Sequence, residues 1–192
     1  MNIKEEMKEY NNNNGKIKVY LAGPFFNEEQ TERINFIEDL LASLDFDIFS
    51  PRQASKIKPG ATKQDMLDTF EGNVTHIDEA DFVLAVLDGN DSGTLFECGY
   101  SYRKTPVLYF NETRDKGPNL MLALSGGLPF ITKQTVKATQ LLKSSHVYNT
   151  KDESIYDDKT PRELLEIMLN EIKSYGVEAI QADTQLPFDE VE

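Results

Sequence analysis

The chain has 192 residues, a length typical of one domain with its own hydrophobic core. Its formal net charge of −13, from 33 acidic and 20 basic residues, would repel a phosphate backbone, so we expect no nucleic-acid polymer among its partners. One cysteine and two histidines exclude an internal disulfide and a metal centre built on such ligands, so we expect chemistry without a metal or cofactor.

The first 16 residues carry no apolar periodicity, and the run Asn11 to Asn14 ahead of Gly15 predicts a polar lead-in. This segment is charged and Asn-rich where a signal peptide would need an apolar stretch. No later run reaches the roughly 18 apolar residues that a membrane span requires. We therefore expect a cytoplasmic protein that does not engage a membrane.

From residue 17 onward, strand and helix patterns alternate along the chain. Short β-branched and apolar runs predict strands over 17–22, 46–49, 81–87, 106–110 and 128–131, with the second and the last at the edges. Helical spacing predicts helices over 28–44, 62–77, 94–104, 119–124, 136–142 and 161–175. Residues 52–61 are predicted as a loop, and 181–192 as an acidic, aperiodic tail.

This alternation predicts a single-domain α/β fold, flavodoxin-like or Rossmann-like, with a doubly wound parallel sheet of about five strands. Helices should flank the sheet, and a helical extension should follow it at the C-terminus. We accordingly divide the chain into a lead-in over 1–16, an α/β domain over 17–146 and a C-terminal extension over 147–192.

Polar and aromatic side chains follow three of the predicted strands at their carboxyl ends. Residues 23–26 follow the first strand, 88–93 the third and 111–119 the fourth. In an open α/β sheet, ligands bind in the crevice beyond these ends. We therefore expect the functional site to be built from these loops, together with Tyr20 near the end of the first strand.

Glu97 has two interpretations, and the sequence leaves both open. If Thr94 caps the helix, Glu97 is the third helical residue and completes a capping box. In that same first turn, the positive end of the helix dipole would keep the carboxylate ionised as a nucleophile. Asp91 is likewise either a turn residue or a functional carboxylate.

Neighbouring side chains also have ordinary interpretations. Phe25 and Phe26 are either core residues or walls for a planar ligand, and Tyr20 is either a core residue or part of the site. Cys98 is expected to pack in the core, and His76 to occupy an exposed helix position.

Four short motifs follow one another along the chain, three of them at or after the end of a predicted strand and one at the start of the third strand. They are residues 20–26 (YLAGPFF), 80–81 (AD), 91–100 (DSGTLFECGY) and 119–121 (NLM). As an ordered set over residues 17–131, they resemble the nucleoside 2-deoxyribosyltransferase family.

The resemblance implies transfer of a 2'-deoxyribosyl group between nucleobases by double displacement. The glutamate at the position of Glu97 would attack C1' of a 2'-deoxyribonucleoside and release its base. A free purine or pyrimidine base would then attack the glycosyl ester from the vacated face, so that the β configuration is retained.

Further roles follow from the same resemblance. Asp91 matches the general acid that contacts the base, and Tyr20 the tyrosine that positions the nucleophile. Asn119 matches an asparagine that reaches the sugar in a neighbouring subunit's site, which implies a homo-oligomer, a hexamer or another assembly of dimers. Substrate-binding positions are also implied at Gly23, Phe25, Phe26, Gly93 and Met121.

The chain departs from the family pattern at Asn73, where several members carry an aspartate that contacts the base. An asparagine can form hydrogen bonds there, but it has no proton to transfer. We therefore expect Asn73 to bind substrate and to affect base selectivity more than the reaction itself.

Two other functions remain open. A deoxynucleoside or deoxynucleotide N-glycoside hydrolase would use the same carboxylate with water in place of the acceptor base. Related hydrolases need a phosphate site in the first loop, whereas residues 23–26 are uncharged and favour a nucleoside. A non-catalytic nucleotide-sensing module would bind without turnover, and the joint presence of Tyr20, Asp91, Glu97 and Asn119 argues against it.

Overall fold

A parallel sheet forms the centre of the protein. The computed structural model describes residues 15–54, 60–113, 120–132 and 159–184. Within these residues the sheet has five strands, β1 (Lys18–Ala22), β2 (Asp47–Phe49), β3 (Phe82–Val86), β4 (Val107–Phe110) and β5 (Gly127–Ile131). Their order across the sheet is β2-β1-β3-β4-β5, which is the flavodoxin-like order. The predicted fold class is confirmed, with β2 and β5 at the edges.

Helices cover both faces of this sheet. They are α1 (Glu28–Ser43), α2 (Pro51–Ala54), α3 (Lys63–Glu79), α4 (Ser92–Ser101), α5 (Leu120–Ser125), α6 (Pro161–Tyr175) and α7 (Val177–Thr184). Buried residues of α1, α6 and α7 join one core cluster, and those of α3 and α4 join another on the opposite face. None of these described helices is long and apolar enough to cross a membrane.

The residues of β1, β3 and β4 alternate between the two cores. On β1, Val19 and Leu21 belong to the cluster under α1 and α6, whereas Tyr20 and Ala22 belong to the cluster under α3 and α4. All five residues of β3 are buried. Because helices cover both of its faces, this central strand is apolar throughout rather than at every second position.

Two short helices replace segments predicted as irregular. The predicted loop over 52–61 begins with α2, because Pro51 suits the first helical position and the carbonyl of Ser50 accepts hydrogen bonds from Gln53 and Ala54. The predicted tail begins inside α7, which buries Ile180 completely. A helix this short offers too few apolar repeats to be recognised from sequence. The helix predicted over 136–142 lies outside the described residues.

The C-terminal helix α6 packs into the same core as the sheet. Its buried residues, all in the cluster under α1, are Leu164, Leu165, Met168, Leu169 and Ile172. Thr160 and Glu163 form a capping box at its start. The division of the chain at residues 16 and 146 stays a prediction.

A buried ion-pair network joins α1 and α6 to the loops that follow β3 and β4. Arg33 is 4% exposed, and its Nε lies 2.7 Å from Oε2 of Glu112 and 3.8 Å from Oδ2 of Asp88. Asp88 also accepts hydrogen bonds of 2.9 Å from the backbone N–H groups of Glu112 and Thr113. Arg162 of α6 pairs with Glu112 from the other side. The carboxyl edge of the sheet is therefore held by charges withdrawn from water.

We expect Arg33→Ala to lower the free energy of unfolding by about 3 kcal/mol, because Asp88 would stay buried without its cation. Urea unfolding followed by circular dichroism measures the change. The matched control is Glu29→Ala, which removes the 73%-exposed partner of the same arginine and should cost less than about 1 kcal/mol. Equal effects of the two variants would contradict the role assigned to the buried pair.

Candidate active site

The candidate site lies where β1 and β3 run side by side. The chain leaves β1 toward α1 on one face and leaves β3 toward α4 on the other, which opens a crevice at their carboxyl ends. The two loops approach closely, since a Cβ added at Gly89 would lie 3.1 Å from Nε2 of Gln30. This is the edge at which the sequence predicted a site.

The loop after β3 delivers Asp91 to the start of α4. Gly89 and Asn90 both have positive φ angles, of 88° and 50°, which turn the chain sharply. Asp91 then caps the helix, and its Oδ2 accepts hydrogen bonds from the backbone N–H of Thr94 at 2.8 Å and from the Thr94 hydroxyl at 3.0 Å. The prediction of Thr94 as the cap is wrong, because the carboxylate of Asp91 takes that role.

This earlier helix start changes the meaning of Glu97. With α4 beginning at Ser92, Glu97 is the sixth helical residue and lies in the second turn. It therefore takes no part in a capping box, and the ordinary explanation for a glutamate at this position is removed.

The side chain of Glu97 instead contacts β1. The hydroxyl of Tyr20 donates a hydrogen bond of 2.6 Å to Oε1 of Glu97, although the two residues are 77 positions apart. Tyr20 is fully buried, so its hydroxyl has no bulk water to bind in place of the carboxylate. The structure thus brings together two of the three predicted catalytic residues.

The surroundings of Glu97 favour its neutral form. Withdrawal from water, together with the nearby charge of Asp91, raises the pKa of Glu97 to about 7 against the opposing effect of the hydrogen bond from Tyr20. Burial therefore works against the ionised carboxylate that its expected place near the start of the helix had predicted. Burial and the charge of Glu97 also raise the pKa of Tyr20, so the phenol stays protonated as a donor.

Two phenylalanines form an aromatic surface in the loop after β1. The rings of Phe25 and Phe26 stack with centroids 5.2 Å apart, and Phe26 is 73% exposed. The backbone N–H of Phe26 donates to Oε1 of Gln30, which fixes the loop against α1. Gly23 lets the start of the loop pack directly against α1, since a Cβ at this position would come 2.8 Å from Cδ1 of Ile34. These rings are therefore not core residues.

The remaining predicted substrate-binding residues lie on separate elements. Gly93 is exposed at the start of α4, where a Cβ would come 3.0 Å from Oδ2 of Asp91. Asn73 is half-buried on α3, and Met121 is 78% exposed on α5. Asn119 lies outside the described residues.

Two residues near the site were missed by the sequence analysis. Phe49 on β2 stacks against Tyr20, and His76 on α3 stacks against Phe49. The expectation of an exposed position for His76 is wrong, because its ring is half-buried by this contact. The expectation for Cys98 is confirmed, since it is buried in the core. Knowledge of the pairing between β1 and β2 would have revealed Phe49, but the sequence does not state strand order.

The comparison with protein families covers most of the chain. The family model described as nucleoside 2-deoxyribosyltransferase matches residues 19–160. The chain belongs to this family. The resemblance drawn from the motifs is therefore confirmed.

Two relatives illustrate the range of the family. The 2-deoxyribosyltransferase from the psychrotolerant bacterium Bacillus psychrosaccharolyticus is 33% identical, with a TM-score of 0.54 over 59% of this chain and 84% of its own. An uncharacterized protein, UU063, from Ureaplasma parvum serovar 3 is 28% identical in an alignment that spans 93 residues and covers 44% of this chain. The match spans 59% of the length of that curated relative.

We expect Glu97→Gln to stabilise the protein more at pH 8.5 than at pH 5.5. The pKa of Glu97 is about 7 in the folded protein and ordinarily about 4.5, so the stability of the folded state falls as pH rises from 4.5 to 7 and then levels off. Glutamine never ionises, and its advantage should grow by about 2 kcal/mol between the two pH values. Urea unfolding at each pH measures it.

The control for this prediction is Asp65→Asn at the start of α3. Hydrogen bonds from Thr62 lower the pKa of Asp65, so this carboxyl is ionised in both states throughout that pH range. Its effect on stability should not change between pH 5.5 and 8.5. A Glu97→Gln effect that is equally flat would show that Glu97 ionises as easily in the folded state as in the unfolded state.

Proposed function

We propose that this protein transfers 2'-deoxyribosyl groups between nucleobases, with Glu97 as the nucleophile. The observation that carries the proposal is the 2.6 Å hydrogen bond from Tyr20 to Glu97 at the carboxyl edge of the sheet, in a member of this family. Its substrates are 2'-deoxyribonucleosides and free purine or pyrimidine bases, and no cofactor takes part. Such an activity would serve nucleoside salvage in the cytoplasm.

The reaction proceeds in two displacements at C1'. Tyr20 holds Oε1 of Glu97, which leaves the carboxylate oriented to form a bond to C1' while the bond from C1' to the base nitrogen breaks. The departing base takes the electron pair and a proton. A second base then attacks C1' on the vacated face and passes its N–H proton to Asp91, while the ester bond to Glu97 breaks and returns its electron pair to the carboxylate, so the β configuration is retained. Because a 2'-deoxyribosyl group lacks the electron-withdrawing 2'-hydroxyl, the positive charge that develops at C1' in the transition state is less destabilised.

Asp91 supplies the proton to the leaving base in this scheme. Its Oδ2 is occupied by the backbone and hydroxyl of Thr94, so the cap fixes the carboxyl group and leaves Oδ1 for the base. Phe25 and Phe26 offer a flat apolar surface for the base. The loop that carries them is uncharged, which favours a nucleoside over a nucleotide.

An exposed apolar surface supports assembly into a homo-oligomer. It is formed by α3, α4 and the residue that follows α4, and its exposed side chains are Met66, Leu67, Phe70, Phe96 and Tyr102. The rings of Phe70 and Phe96 lie 5.9 Å apart and join the two helices. Contiguous apolar surface of this kind marks interfaces. We propose that this α3–α4 surface pairs two subunits, within a dimer or a hexamer in which Asn119 serves a neighbouring site.

The exchange assay tests the proposed reaction with deoxyinosine as donor and adenine as acceptor. We expect deoxyadenosine and hypoxanthine to form together, and chromatography measures both products. Glu97→Ala should abolish the product, and Asp91→Asn should slow its formation by about 10²–10⁴-fold. Asparagine caps helices as well as aspartate does, so the second variant removes the proton without disturbing α4.

The control variant is Asp39→Asn, an exposed carboxyl on α1 that should leave the rate at the parental value. Release of free deoxyribose at the same rate with and without adenine would instead identify a hydrolase. Binding of deoxyinosine with neither product would identify a sensing module. Full activity in Glu97→Ala would remove the proposed nucleophile.

We expect Phe70→Asp to separate the subunits, because it places a charge in the α3–α4 surface. Light scattering after size-exclusion chromatography measures the mass. Thr75→Asp, an exposed change on the same helix, is the matched control and should keep the parental mass. A parental mass for both variants would show that this surface does not join subunits.

A further inference from the structure

Three aromatic rings form a column that runs from the candidate nucleophile to the edge of the sheet. Tyr20 contacts Glu97 and stacks on Phe49, with ring centroids 5.5 Å apart and planes inclined by 23°. Phe49 in turn stacks on His76, with centroids 3.6 Å apart and planes inclined by 16°. The column therefore connects His76, which is half-buried on α3, to the carboxylate of Glu97 through the rings of Phe49 and Tyr20.

The strand register explains why these rings meet. Tyr20 pairs with Phe49 on β2 and with Val83 on β3, so its ring has an aromatic neighbour on one side and a β-branched neighbour on the other. Val83 lies inside the sheet and is completely buried. Phe49 ends a three-residue strand at the edge, beyond which the described residues contain no further strand. The outer side of the Tyr20 ring is thus supported by the last residue of the short edge strand β2.

His76 covers the Phe49 ring from α3, on the same face of the sheet as the core cluster that contains Tyr20. Its Nδ1–H donates a hydrogen bond of 2.7 Å to the carbonyl oxygen of Gly72, which holds the imidazole flat against Phe49. Beyond it lies a cavity of about 230 Å³, lined by Lys18, Asp47, Glu79 and other residues of β1, β2 and α3. Without the imidazole, the Phe49 ring would have open space on its outer face.

We propose that Phe49 and His76 are positioning residues that clamp the ring of Tyr20 and thereby aim its hydroxyl at Glu97. A two-torsion side chain such as Tyr20 turns its hydroxyl away from a partner when its ring tilts, and a hydrogen bond weakens steeply with angle. This inference rests on the proposed function for its catalytic consequence, but its structural content concerns only the bond from Tyr20 to Glu97.

The chemical consequence is a change in the proton affinity of Glu97. A hydroxyl that donates to the carboxylate stabilises the ionised form, so a displaced Tyr20 leaves Glu97 more readily protonated. The titratable groups that face Glu97 are Tyr20 from β1, Asp91 from the start of α4 and its chain neighbour Cys98. Among these, the column acts on Tyr20.

The experiment is a titration of the Glu97 carboxyl carbon by NMR in protein labelled with [¹³C]glutamate, assigned by its loss in Glu97→Gln. Tyr20→Phe should raise the pKa of Glu97 by about one unit, the size expected for losing a hydrogen bond to a charged group. Phe49→Leu and His76→Ala should raise it in the same direction by a smaller amount. His76→Phe keeps a stacked aromatic ring at this position without the imidazole and should restore the parental value.

The double variant Tyr20→Phe/Phe49→Leu distinguishes positioning from general packing. If Phe49 acts through the hydroxyl of Tyr20, Phe49→Leu should add nothing to the pKa of Glu97 in the Tyr20→Phe background. In the exchange assay, the acid limb of kcat/KM should move to higher pH in the same variants. The titration does not depend on turnover. If the parent protein had no exchange activity, the proposed function would be overturned, but the pKa comparison would still test the positioning of Tyr20.

Three results would overturn the inference. If the pKa of Glu97 in Phe49→Leu and His76→Ala equals the parental value, the stacked rings do not position Tyr20. Additive effects in the double variant would mean that Phe49 does not act through Tyr20. A value in His76→Phe equal to that in His76→Ala would assign the effect to the imidazole's own chemistry rather than to its stacked ring. If Phe49→Leu does not fold, the two His76 variants decide alone.

Discussion

The hydrogen bond between Tyr20 and Glu97 is the interaction on which the candidate site depends. It requires β1 and β3 to be neighbours, because only then do the loop after β3 and the start of α4 lie over the ring of Tyr20. It also requires α4, capped by Asp91, to lie so that Glu97 in its second turn reaches the hydroxyl of Tyr20. Sheet order and helix capping therefore act together to join two distant residues.

The same bond moderates an unfavourable environment. Burial and the charge of Asp91 both favour a neutral Glu97, and the hydroxyl of Tyr20 is the group that favours its ionised form. Burial of Glu97 near the charge of Asp91 lowers the stability of the folded protein when Glu97 is ionised. Ionisable groups with pKa values perturbed in this way are concentrated at functional sites. A carboxyl whose pKa lies near neutrality can be a nucleophile once ionised, and small changes around Tyr20 would alter the ionised fraction.

The rigidity of the carboxyl edge has a second source on the other face of the sheet. Arg33 ties the loops after β3 and β4 together through Asp88 and Glu112, and Arg162 brings the C-terminal helix into the same network. Asp88 lies three residues before Asp91, so its anchoring also limits where the helix cap can be. Charges buried together in this way require good geometry, and once formed they disfavour alternative arrangements of the loops.

The sequence by itself determined the fold class and indicated the edge of the sheet at which the candidate site lies. The apolar run of β3, the alternation of strands and helices and the carboxylates after β3 sufficed, because period and turn chemistry are local properties. It could not decide whether Asp91 or Thr94 caps α4, nor that Phe49 and His76 lie beside Tyr20. Both depend on which strands are neighbours and on competition between nearby hydrogen-bond acceptors. The protonation of Glu97 was likewise decided only by the tertiary structure, because burial is a property of the surroundings and not of the residue.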